Sequence, residues 1–343
     1  MKKLSVLFVS VLLSATFYTL YANNQENEPF MTRTFPTSSI KEVEATTAGG
    51  SLTLIGNADS KAIVEVYVSR NNLSSEKIKQ MLEENYIIDI KVEGGKLYAV
   101  AKRKKSYSDW NQQGLSISFK IIVPKQVNSN LQTSGGSIYI GNLSGSQNFK
   151  TSGGSLTIEN VSENIVGTTS GGSISVKGSK DKIDLHTSGG SITATDCSGK
   201  IDLKTSGGSL NISKLSGNIN AATSGGSINV SDIKGTLITS TSGGSVKIDG
   251  VSGNLEASTS GGNMDVRMAS VSDYVKLSNS GNLNLSLPAA KGYKLNVRAN
   301  RVETSGLKDF RGDMESTNIE GTVGNGGPDI NVKSSQRIRL SFE

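Results

Sequence analysis

The 343-residue chain has one cysteine, one histidine, one tryptophan and five prolines. A single cysteine excludes a disulfide framework and any thiolate-built zinc site. A single histidine excludes metal centres that need two or three imidazoles. Glycine is abundant at 39 residues but does not recur every third position, which excludes a collagen helix. The margin of 36 basic over 30 acidic residues is too small for a dedicated nucleic-acid binder. Long apolar runs are also missing, except at the N-terminus.

That exception runs from Leu4 to Leu20, behind Lys2 and Lys3 and ahead of Tyr21, Ala22 and the polar stretch Asn23 to Glu28. A positive end, an apolar middle and a small residue before a polar segment describe a secretory signal, here residues 1–22, followed by a linker over 23–29. Leu20 is larger than the residue usual at that place, and the run approaches the length of an uncleaved anchor. No cysteine lies near the cut, which argues against a lipid-anchored form. Cleavage after Ala22 would remove two lysines and lower the net charge from +6 to +4. The expectation is an exported protein of the periplasm, outer cell surface or extracellular space, with no transmembrane segment after cleavage.

The strongest signal is an internal repeat. Thr-Ser-Gly-Gly begins at Thr133, Thr151, Thr169, Thr187, Thr205, Thr223, Thr241 and Thr259, at one unvarying interval. A second glycine column holds Gly145, Gly199, Gly217, Gly235 and Gly253. Two turn signals per repeat predict two short strands. Paired aliphatic columns agree: Ile138/Ile140, Leu156/Ile158, Ile174/Val176 and Leu210/Ile212 follow one turn, and Ile183/Leu185, Ile201/Leu203 and Leu255/Ala257 follow the other. Alternation of period two marks strands with one buried face. One repeat buries too little aliphatic surface to offset ordering its own backbone, so the repeats must stack.

These features predict an all-β chain built as a parallel β-solenoid of 18-residue, two-strand coils over 133–270. No proline falls between Pro124 and Pro288, as continuous ladders require. The glycine pairs are expected at tight corners, supplying positive φ and close coil approach, with Thr and Ser in stacked hydroxyl ladders. A phosphate-cradling loop would instead open a helix. Residues 30–132 are expected to form a small mixed α+β cap, with a helix over Ser74–Asn85 and a hairpin turn at Gly94-Gly95. Within it, Gly49-Gly50-Ser51-Leu52-Thr53-Leu54 matches the repeat once but lies out of register with the array. Residues 271–343 are expected to be degenerate coils forming the C-terminal cap.

The recurring Thr-Ser-Gly-Gly-Ser, the segment Leu115 to Lys125 and Gly49-Gly50-Ser51 together resemble the exported β-strand-repeat proteins classed as proposed adhesins, a domain-of-unknown-function family. That resemblance implies a noncatalytic structural or adhesive cell-envelope protein without cofactors. It leaves the partner open among a surface glycan, an envelope component and another protein.

Other chemistries fit the residues less well. Calcium-binding β-rolls need an aspartate in each turn, and the place is aliphatic here. A carbohydrate-active solenoid would need clustered carboxylates. Asp184 and Asp202 stack in one outward column, with Lys182 and Lys200 expected to neutralise them. His186 stands among hydroxyls and lysines with no nucleophile motif, and Cys197 falls in a buried apolar column with Leu143, Val161 and Leu215. No uniform threonine array supports ice binding. The candidate interaction loop is Lys102-Arg103-Lys104-Lys105 with Tyr107 and Trp110, which combines the only basic run with the only tryptophan. It is suited to an anionic glycan or lipid headgroup; a plain solvated hairpin loop is the alternative.

Overall fold

The computed structural model describes residues 28–59, 61–71, 73–104, 114–289 and 292–343. The leader and most of the linker therefore lie outside the described residues. Among these residues the chain is all-β, with 28 strands and one α-helix, and most strand pairs are parallel. No helix among them is long and apolar enough to cross a membrane.

Each repeat adds one strand to each of two parallel ladders. In the first, Ser144–Lys150 pairs with Ser162–Thr169, then Lys180–Thr187, Ser198–Thr205 and Ser216–Thr223 follow. In the second, Ile138–Gly141, Leu156–Glu159, Ile174–Lys177, Ile192–Thr195 and Leu210–Ser213 stack in the same way. Partners such as Ile183 and Ile201 stand one repeat apart, so the inward columns mostly place aliphatic on aliphatic. The inward columns form a continuous aliphatic core. In the last three units, Ile228–Thr241, Val246–Thr259 and Met264–Asn279, one long strand serves both ladders without a break.

The corners differ from expectation in an informative way. None of the eight Thr-Ser-Gly-Gly pairs has a positive φ. The second glycine is required by proximity alone: a Cβ on Gly154 would lie 1.9 Å from the Gly136 carbonyl oxygen, whereas one on Gly153 would have its nearest neighbour at 3.6 Å. The threonines do not form hydroxyl ladders either. Thr151 Oγ1 donates to the Gly136 carbonyl at 2.8 Å and accepts from the Gly154 N–H at 3.3 Å, tying one coil to the one before it. The same pair of bonds recurs at Thr169, Thr187 and Thr205. The serine after each pair also works through the backbone, as where Ser191 Oγ accepts from Ser209 N–H at 3.1 Å.

Positive φ belongs to the opposite corner. Asn142, Asn160, Gly178, Asp196, Lys214, Asp232 and Gly250 form one such column, with φ between 54° and 77°. Asn, Asp and Gly are the residues that tolerate this conformation, so Lys214 is the exception. The second glycine column is the other, and Glu163 and Asp181 fill its gaps at φ 81° and 78°.

At both ends the stacking order departs from the chain order. Gly49-Gly50-Ser51 is out of register in sequence but in register in space. Glu42–Thr46 pairs with Asn128–Gln132, and Leu52–Asn57 pairs with Ile138–Gly141. The chain lays down this coil, leaves it, and rejoins it first where Asn128 faces Glu42 and then where Ile138 faces Leu52. Between the two it builds a further layer beneath, with Lys96–Arg103 on Glu42–Thr46 and Ser116–Pro124 on Leu52–Asn57, all parallel. Antiparallel strands then cover that layer: Tyr86–Glu93 on one ladder, Lys61–Ser69 and Met31–Pro36 on the other. The helix Ser75–Asn85 begins at its Ser74 cap and buries Leu82, with Ile78 and Met81 packed beside it. At the C-terminal end Asp329–Ser334 and Arg337–Phe342 stack next on the array, and Tyr293–Arg298 and Arg301–Ser305 lie outside them.

Candidate functional site

The basic segment sits at a defined place in the ladder. Lys96–Arg103 and Ser116–Pro124 are the two parallel strands of the N-terminal layer, one on each ladder, and the basic segment begins at the end of the first. Lys102, Arg103 and Lys104 are exposed. Arg103 stacks its guanidinium 5.8 Å from the Tyr86 ring centre, and Lys104 Nζ donates to the Glu83 carbonyl near the helix end. Lys102 borders a shallow hollow that also contains Ile87, 54% exposed, and Tyr98. Lys91 and Lys96 lie 5.6 Å and 5.4 Å from the Tyr98 ring centre. Hydrogen bonds to Glu44 and then Glu42, at 2.6 Å and 3.0 Å, hold the Lys96 ammonium above its ordinary pKa. Lys105, Tyr107 and Trp110 lie outside the described residues.

The aspartate column is paired differently from expectation. Asp184 and Asp202 do face each other across adjacent strands. Their partners are not Lys182 and Lys200. His186 Nδ1 lies 3.0 Å from Asp184 Oδ1, and Lys204 Nζ lies 2.8 Å and 2.9 Å from the two Asp202 oxygens. In a strand, residues two apart share a face, and of the two that flank each aspartate the later one is the partner. Ligand atoms of Asp184, His186 and Asp202 fall within 4.8 Å of one another, but Lys204 already occupies the cationic place beside Asp202. Cys197 is 2% exposed, donates to the Thr195 carbonyl at 3.3 Å, and burial raises its thiol pKa.

A third region escaped the sequence altogether. A groove of about 650 Å³ lies on the outer face of the second ladder at its C-terminal end. One outward column there runs Lys247, Asp265, Asn284, Arg339, Glu303 across five adjacent strands. The neighbouring column contributes Asp249 and Arg267. Earlier positions of the first column are Tyr139, Thr157, Ser175, Thr193, Asn211 and Asn229, so the regular coils before Lys247 leave it uncharged; charge appears again only past Thr53, at Lys120 and Glu65 of the N-terminal layer. These side chains are tied to one another: Arg267 Nε to Asp249 at 2.5 Å, the Asn284 amide Nδ2 to Asp265 at 2.5 Å, and Arg339 Nε to Glu303 at 3.1 Å. The Arg339 hydrogen bond, with Arg301 and Arg337 close by, lowers the Glu303 pKa. Lys247 and Asp265 stand one repeat apart, and their alternation could have been noticed. Arg339 and Glu303 join the column only through the reordered C-terminal strands, which no periodicity reveals.

No protein-family model and no curated relative matches the chain. Among solved structures, one similar chain is a proposed cell adhesion protein from Clostridium sporogenes, at 12% identity and a TM-score of 0.18, covering 92% of this chain and 100% of that one. Another is a proposed adhesin from Bacteroides fragilis, at 16% identity and a TM-score of 0.30, covering 75% of this chain and 96% of that one. Superpositions this loose leave the functional reading to the chain's own geometry.

Proposed function

We propose that the protein is an exported, noncatalytic β-solenoid that acts as an adhesin, holding a surface polymer outside the cytoplasm. In this reading residues 1–22 are the export leader, 30–132 the N-terminal cap, 133–270 the regular coils and 271–343 the C-terminal cap. The observation that carries it is the pair of parallel ladders, which stack coil after coil and present outward columns of mostly small polar side chains, such as Thr157, Ser175, Thr193, Asn211 and Asn229. Such a surface offers many individually weak contacts at a fixed spacing. That arrangement suits a repetitive partner, because linked weak contacts add as avidity. The partner class is a surface glycan or another envelope component.

The rival is a carbohydrate-active enzyme, favoured by the stacked Asp184 and Asp202. Acid–base cleavage requires one carboxyl to stay protonated while the other ionises. Here each carboxylate is instead engaged by a side chain of its own strand, Asp184 by His186 at 3.0 Å and Asp202 by Lys204 at 2.8 Å, and the pair has no distinct acid and base environments. Incubating purified residues 23–343 with a panel of glycans and polymers separates the two readings. Retention without product supports the adhesin, and turnover without added metal overturns it.

A further inference from the structure

We propose that the C-terminal groove is a binding track for a neutral oligosaccharide; the proposal rests on the adhesive reading and gives it a site. The groove's volume, about 650 Å³, falls within the range of small-ligand sites. Its length fits an oligomer. The column from Lys247 to Glu303 crosses four strand spacings of about 4.8 Å, a track of roughly 19 Å.

The charge pattern selects the ligand class. Along the column the signs alternate, and the carboxylates already carry cationic or amide partners: Asp249 has Arg267, Asp265 has Asn284, and Glu303 has Arg339. An anionic polymer would have to lie against Asp265 and Glu303. A cationic one would compete with arginines already in place. Neutral hydroxyls meet neither obstacle. Each can donate to a carboxylate lone pair that its partner leaves free, or accept from an unused guanidinium N–H. Cross-strand pairing also holds these side chains in position before a ligand arrives, which lowers the ordering cost of binding. The regular coils present Thr193, Asn211 and Asn229 in the same column, without the charged groups that strengthen such hydrogen bonds.

The test uses residues 23–343, which retain every described strand. Binding to neutral tetrasaccharides, and to sulfated versions of the same sugars, would be measured by titration calorimetry. The parent is expected to bind a neutral tetrasaccharide, and the double variant Arg267→Ala with Asn284→Ala to bind it at least about tenfold more weakly. Asn211→Ala, in the same column outside the groove, should leave affinity unchanged. Unaltered circular dichroism and melting would show that the variant is folded. The more conservative Asp265→Asn, which keeps the size and removes the charge, should also weaken binding. Neutral-sugar affinity unchanged in both groove variants overturns the track. So does binding of sulfated sugars alone, lost on replacing Lys102, Arg103 and Lys104 with Ser; that result moves the site to the N-terminal cap and leaves the adhesive reading standing. Failure to bind any glycan or polymer on the wider panel would remove both.

Discussion

The two glycines of one corner should respond very differently to the same methyl group. At Gly207 an added Cβ would lie 3.5 Å from the nearest backbone oxygen, an ordinary contact, and φ is not in the left-handed region. Gly207→Ala should therefore be neutral or stabilising by about 0.4–1 kcal/mol, through the smaller entropy of the unfolded chain. At Gly208 the added Cβ would lie 2.0 Å from the Gly190 oxygen and 2.4 Å from its carbonyl carbon. Both are main-chain atoms of the preceding coil and cannot rotate away. Reaching even the 3.4 Å at which ordinary contact begins requires the two coils to part locally. That movement stretches the Thr205 hydroxyl bond to Gly190, 2.7 Å, the Gly208 N–H bond to Thr205, 3.2 Å, and the Ser209 N–H bond to Ser191, 3.1 Å. At about 0.5–1.5 kcal/mol each, losing two or three of them costs on the order of 1–4.5 kcal/mol. Urea unfolding of residues 23–343 would compare the variants. Because a long repeat array can lose two-state behaviour, hydrogen exchange at residues 205–212 should be followed as well. Protection should fall in Gly208→Ala around that corner and persist in Gly207→Ala. Equal midpoints and equal exchange for the two variants would refute the argument that proximity, and not backbone conformation, fixes the second glycine.

Two further outcomes follow from the opposite corner and the core. Lys214 occupies a left-handed column otherwise filled by Asn, Asp and Gly, so Lys214→Asn should stabilise by about 0.5–1 kcal/mol in the same urea assay; a lower midpoint would contradict it. The Cys197 thiol, buried and held above its ordinary pKa, should react with a thiol reagent at neutral pH only as its coil opens. Its labelling rate should therefore track urea concentration, and rapid labelling of the folded protein would be inconsistent with the packing described.

The sequence carried whatever depends on neighbours at a constant offset. Ile183 and Ile201 share a column because one repeat length separates them, and that spacing appears directly in the string. The helix was legible for a local reason as well, since Ser74 caps it and Leu82 turns inward in its last turn. Features set by the path between coils were not legible. Leu52 faces Ile138 only because the chain leaves the ladder, builds a lower layer and returns, so the coil at Gly49-Gly50 looked misplaced. Asn279-Ser280-Gly281-Asn282, the next near-match to the repeat after Thr259, comes late for a similar cause: register shifts before Leu255 bring Val275 opposite it, later in the chain than a regular repeat would place its partner. Asn279 then takes the threonine's place beside Thr259, bonding through its amide to Asn282 and Gly281. The Asp184 and Asp202 partners were missed for a smaller reason. Two same-face positions flank each aspartate, and sequence alone does not tell which way a long side chain turns. The groove at the C-terminal end depends on both kinds of displacement together. Asp265 meets Asn284 across a strand pair whose offset exceeds the repeat, and Arg339 meets Glu303 across one reordered in the chain. A repeat of constant length can specify a regular rod, but a site unlike the rest of that rod has to arise where the constant offset fails. That is where the charged column lies.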